Sequence, residues 1–152
     1  LLRNLPLVVK MFFFYFVLGW PEVSAALTAL ILHQSAYIAD VTAAGLRSIE
    51  RGQFDAGLAL GLRRIAVLRH IVLPQLARVV LSPMTTQYVS VVKNTSVVAL
   101  IGVADLTFQT QQINVDTFRG FEAATAATLL YMIVAGVVIA GMGWLQRRRI
   151  MP

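Results

Sequence analysis

The sequence contains no cysteine, which excludes disulfides and cysteine-ligated metal sites. Charge is scarce: Asp, Glu, Lys and Arg make up 13% of 152 residues, where a soluble domain carries about 25%. The two histidines, His33 and His70, fall on different stretches without H-E-x-x-H or another metal-ligand spacing, so no metal site is expected. No G-x-x-x-x-G-K-[ST] loop is present to cradle phosphates. No Ser-His-Asp arrangement can be built, and Asp40 is the one acid inside an apolar run, too few for paired-carboxylate proteolysis. An initiator Met is also missing, and no basic segment precedes a cleavable apolar one. This start reads as the C-terminal part of a longer frame.

What the chain has is apolar length. It is 58% hydrophobic, with a mean hydropathy of +0.74, beyond the roughly 45–50% of soluble domains. A polytopic membrane protein is expected. The net charge of +6 then needs no nucleic-acid partner, because Lys and Arg collect in cytoplasmic loops. The basic stretch also has no base-stacking aromatic beyond Phe54.

Four spans are expected, at 5–20 (partial), 23–46, 84–104 and 121–145. A complete span takes about 20 residues, so the first is short, and Phe12 to Phe16 with Trp20 set its end among the headgroups. In the second, His33, Tyr37 and Asp40 share a face at i, i+4, i+7, beside Gln34. Pro83 opens the third, where Gln87, Ser90 and Asn94 share a face ahead of Thr95 and Ser96, with Lys93 beside them. Residues 107–120 read as a polar loop. In the fourth, Ala123/Ala127 and Gly136/Ala140 let helices approach closely. A charge at the bilayer centre costs about 2.5–3.5 kcal/mol, so the polar faces should meet protein or water. The bland alternatives are interhelical hydrogen bonds, and for Asp40 and Lys93 a mutual pair or a place near the cytoplasmic end.

Residues 47–78 hold six of the thirteen basic residues against two acids. By the positive-inside rule they are cytoplasmic, and Arg147-Arg148-Arg149 sets the C-terminus on the same side. Within them, 53–74 reads as two short helices meeting at Gly61. The first is made of small residues. The second places Ile65, Leu68 and Ile71/Val72 on one side, with Arg63, Arg64, Arg69 and His70 marking the other, and is expected to end at Pro74. An interfacial helix resting on lipid is the plainer reading.

This stretch resembles the E-A-A-x-x-x-G-x9-I-x-L-P signature of bacterial ABC-transporter permeases. Asp55-Ala56-Gly57, three residues, Gly61, nine residues and Ile71-Val72-Leu73-Pro74 reproduce the spacing, with Asp for Glu and Gly for the second Ala. Other stretches are similar to the polar amino acid uptake branch: Arg3-Asn4-Leu5-Pro6-Leu7 to R-G-T-P-L, Ala36-Tyr37-Ile38-Ala39-Asp40 to A-Y-x-A-E, and Lys93-Asn94-Thr95-Ser96 to K-D-T-S.

The resemblance implies an all-α transmembrane bundle of the type I ABC importer permease fold, incomplete at its N-terminus, in the bacterial inner membrane. It implies coupling to ATP-binding cassette subunits through Asp55, Ala56, Gly57, Gly61, Ile71, Leu73 and Pro74. ATP and magnesium would be bound by that partner, with no cofactor or catalysis on this chain. It further implies a second permease copy or paralogue and an extracytoplasmic amino-acid-binding protein. Candidate path-lining residues are His33, Tyr37, Asp40, Gln87, Lys93, Asn94, Thr95 and Ser96. The alternatives are a passive channel, a non-transporting assembly subunit, or an inactive fragment.

Overall fold

Proline and glycine set the boundaries of an otherwise continuous helical chain. A computed structural model describes residues 2–150, and side-chain burial over 3–148. Pro6 precedes α1 (Leu7–Phe12), whose path widens into a π-helical turn over Phe13–Val17. Gly19, at φ +64°, turns the chain, and Pro21 leads into α2 (Glu22–Ser48). Fixed φ and a missing N–H suit proline to a helix start. Then come α3 (Arg51–Ala59), α4 (Arg64–Val67), a π turn over Leu68–Val72 and α5 (Leu73–Thr95). A 3₁₀ turn over Ser96–Ile101, α6 (Leu106–Thr117) and α7 (Gly120–Ile150) complete it. The described residues contain no strand.

Two of these runs are long and apolar enough to cross a membrane by length and composition. They are Arg64–Ile101, with 38 residues and a mean hydropathy of 1.5, and Gly120–Arg148, with 29 residues and 2.2. At about 1.5 Å per residue, the 27 residues of α2 have the length as well. Their apolar character is diluted by His33, Gln34, Ser35, Tyr37 and Asp40. Of these, His33, Gln34 and Tyr37 lie on the face α2 turns to α5.

The core forms where α1, α2 and the 3₁₀ turn meet. Met11, wholly buried, packs with Leu7 among Ala25, Ala26, Ala29, Val98 and Ile101. Alanines at i, i+1, i+4 let α1 lie close against α2. Ala29→Leu is therefore expected to force the two helices apart and to cost about 1–3 kcal/mol, read as a lowered melting temperature in detergent. The large apolar side chains of α7, including Phe121, Met132, Ile133 and Val137, are exposed. That is the surface a lipid-facing helix presents. Of its small-residue pairs, Ala127 is buried, while a Cβ added at Gly136 would meet open space. The aromatic end of α1 is a connected cluster: Phe12 against Phe16 at 5.4 Å and Phe14 stacked on Trp20 at 5.1 Å.

Four expectations are corrected. Pro74 does not end a helix. It lies in the first turn of α5, immediately after the π turn. A proline ring clashes with the carbonyl four residues back, here that of His70. The wide turn moves that carbonyl aside, so the helix runs on. No helix begins at Pro83 either, because it lies inside α5. Membrane helices tolerate this where neighbours satisfy the freed groups. The segment 107–120 is largely helical, since the Asp105 carboxylate accepts from the Phe108 amide at 2.8 Å and starts α6. Finally, the buried side of the second short helix is Val67 and Val72. Ile65 is 79% exposed and Leu68 is exposed too.

Candidate functional site: a polar cavity and a bent basic element

The polar faces of α2 and α5 meet. His33, Gln34 and Tyr37 stand across from Gln87, Ser90, Lys93 and Asn94 around a cavity of about 300 Å³. Five of the eight residues picked out from sequence (His33, Tyr37, Gln87, Lys93 and Asn94) thus share one space. Their spacing explains it: i, i+4 on α2 and i, i+3, i+7 on α5 each define a stripe, and the packing of α2 on α5 sets stripe against stripe.

Gln34 closes the seam. It is 8% exposed, and its Nε2 donates to the backbone oxygen of Gln87 at 3.1 Å and to Gln87 Oε1 at 3.0 Å. In the sequence Gln34 stands only as a neighbour of His33, off the i, i+4, i+7 stripe. Its burial is the signal that separates it from neighbouring polar residues. Behind His33 lies Lys10, itself 5% exposed, with Nζ 3.1 Å from His33 Nδ1. The His33 and Tyr37 rings are 5.1 Å apart, centre to centre.

The other three candidates lie elsewhere. Asp40 does not line the cavity and does not pair with Lys93; it forms an ion pair with Arg3. The Tyr37 hydroxyl donates to the Arg3 carbonyl at 3.3 Å, tying the same segment to α2. Thr95 and Ser96 donate back to the carbonyls of Val92 and Lys93, both at 2.7 Å. They shape the step from α5 into the 3₁₀ turn, and neither lines this cavity.

A second cavity of about 450 Å³ lies between α5 and α7. It shares Ser90 and Lys93 with the first and reaches Thr85 and Gln146, which are joined at 3.3 Å. Farther along, Tyr131 donates to Asp105 Oδ2 at 3.0 Å and lies 3.1 Å from the Thr107 hydroxyl, fastening α6 to α7.

The bent element is built as the small residues require. Gly61 has φ +81° and open space where a Cβ would project. It supplies the left-handed turn between α3 and α4. Gly57 has a different role from the one its spacing suggests, since it is buried. A Cβ there would fall 2.9 Å from both Ile71 Cδ1 and Val67 Cγ2, so Gly57 lets α3 close onto the π turn. Asp55, Ala56, Ala59 and Leu60, with Ile65, Leu73 and Pro74, form the outward surface. Ile71 is half-buried beneath it.

Exposed apolar helices of membrane-spanning length beside a polar cavity, with a bent basic element leading into the same helical run, are the architecture of a membrane-embedded subunit with a polar interior. The chain belongs to the family described as binding-protein-dependent transport system inner membrane component, whose family model matches residues 1–151. It is 36% identical to the glutamine transport system permease protein GlnP of Escherichia coli (strain K12), over 97% of this chain and 70% of that protein. It is 30% identical to the probable glutamine ABC transporter permease protein GlnM of Bacillus subtilis (strain 168), again over 97% and 70%. Among solved structures, an amino acid ABC transporter with histidines superposes with a TM-score of 0.86 at 27% identity, over 97% of this chain and 71% of that one. The inward-facing MetNI methionine ABC transporter gives 0.80 at 17% identity, which supports the type I permease fold alone.

Proposed function

We propose that this chain is the permease subunit of an ATP-driven importer of polar amino acids, and that the cavity between α2 and α5 is part of its translocation path. The observation that carries this reading is a continuity. The helical run Arg64–Ile101 begins in the bent basic element and ends as one wall of the polar cavity. Movement imposed on one end reaches the other without an intervening loop. The relatives named as glutamine permeases support the substrate class.

In this reading 47–78 and the C-terminal arginines face the cytoplasm, as their charge favours. Ala56, Ala59, Gly61 and the exposed Leu60 and Ile65 dock on an ATP-binding cassette subunit, which binds ATP and magnesium and hydrolyses the nucleotide. This chain contributes no catalytic residue. A second permease, a copy or a paralogue, completes the pore. An extracytoplasmic binding protein delivers the solute. His33, Tyr37, Gln87, Lys93 and Asn94 line the path, while Asp40, Thr95 and Ser96 support it from outside the cavity. Closure of the ATPase subunits pushes the bent element and tilts α5 against α2 and α7, exchanging inward for outward access.

The test is purification from the native membrane followed by reconstitution in vesicles. The expected result is copurification of an ATP-binding subunit and uptake of labelled glutamine that depends on ATP. Glutamine flux down its gradient without ATP, with no ATPase retained, would establish a passive channel instead.

A further inference from the structure

Resting on the reading of the α2–α5 cavity as path, the hydrogen-bond pattern inside it points to selection by charge. We propose that the cavity holds its solute by a carboxylate and discriminates against solutes with a cationic side chain.

The inference comes from asking which polar atoms are already used. Gln34 Nε2 takes both the backbone oxygen and Oε1 of Gln87, leaving the Gln87 amide with N–H donors to offer. A lysine ammonium has no acceptor, so the Lys10–His33 contact at 3.1 Å makes Nδ1 of His33 the acceptor. In a neutral imidazole the proton then sits on Nε2, and the ring becomes a donor. Asn94 adds an amide and Lys93 a full positive charge, both on the same lining. The lining contains no carboxylate. Asp40 is the acid nearest in sequence to this part of α2, and it is held by Arg3 outside the cavity. Along α3 to α5 no acid occurs between Asp55 and Asp105.

The lining thus offers amide and ring N–H donors beside the Lys93 charge, and a negative counter-charge is lacking. A carboxylate matches that set. A guanidinium or second ammonium would enter beside Lys93 without a partner, and the low dielectric of a membrane interior strengthens that repulsion.

The test uses the assembled permease–ATPase complex in detergent, without the binding protein, so that the permease alone chooses. Equilibrium dialysis with labelled L-glutamate, L-glutamine and L-arginine should rank arginine last, at least about tenfold weaker than glutamate. Lys93→Met should weaken glutamate by about tenfold or more, the loss expected for a charge-assisted hydrogen bond. Lys93→Arg should retain most of it. Gel filtration confirms that each variant remains assembled.

If Asn94→Leu weakens all three solutes while the wild type binds arginine as well as glutamate, the path reading stands and selection by charge is overturned. If Asn94→Leu changes none of them, or the wild type binds none, the cavity is not the path and both readings are overturned.

Discussion

Gly61→Arg is expected to reach the membrane in normal amounts, to hold its solute normally, and to lose ATP-driven uptake by at least about tenfold. The position has φ +81° and empty space around a would-be Cβ. Its direct penalty is the left-handed conformation, about 1–2 kcal/mol for an L side chain, confined to an exposed turn. What changes most is the surface that α3 and α4 present, where a long cation would stand between the small residues and a partner. Gly61→Asn controls for the backbone, because asparagine visits this conformation routinely. It should keep more of the activity than Arg does.

Gly57→Val differs in kind. Its side chain would strike Val67 and Ile71 at 2.9 Å. Overpacking of this sort typically costs about 1–3 kcal/mol, so α3 should lift off the π turn and become sensitive to protease. Normal uptake by Gly61→Arg would remove the docking reading and leave an interfacial helix in its place.

Asn94→Leu should abolish most uptake while leaving the protein as stable as the wild type, and Gln34→Leu should do much the reverse. Asn94 lines the cavity, partly exposed, and no side-chain hydrogen bond to another described residue is found for it. Removing its amide therefore subtracts from the lining alone. Gln34 is buried and bridges two oxygens of Gln87. Its loss removes two hydrogen bonds across the α2–α5 seam, at about 0.5–1.5 kcal/mol each, and should appear as a lower melting temperature. Unchanged uptake kinetics in Asn94→Leu, with normal assembly, would take that residue out of the path.

The sequence announces its helices best where apolar length does the work. As helices, Glu22–Ser48 and Gly120–Ile150 enclose the stretches 23–46 and 121–145, the second also long and apolar enough to cross a membrane, and the bend at Gly61 follows from glycine chemistry. Periodicity also exposes the polar stripes of α2 and α5, since a face is a local property. Which stripe meets which is not local, and that is why Asp40, one turn along from Tyr37, reads like its neighbours yet leaves the cavity for Arg3. Burial is equally invisible: Gly57 and Ala56 look alike in the motif, and one faces in while the other faces out. The prolines mislead for a different reason. A proline stops a helix only if nothing rearranges the turn before it, and nothing in H-I-V-L-P declares a π turn. Helix α6 escapes notice because Q-T-Q-Q-I-N-V-D has no apolar stripe. Its one signal is the capping aspartate at 105, which also reads as the end of a span.

The π turn ahead of Pro74 gives the motif's fixed interval a physical meaning. In a loop, one residue more or less is absorbed by slack. Between Gly61 and Ile71 there is little slack to use, because helix has begun by Arg64 and runs unbroken to Ile101. Each residue added to or removed from a helix rotates everything beyond it by about 100°. The widened turn at Leu68–Val72 thus acts as a phase setting. It fixes the bearing on which Gln87, Ser90 and Asn94 point relative to the surface around Gly61. A chain one residue shorter here would keep every side chain of the cavity and turn the α5 stripe by about 100° relative to the surface around Gly61.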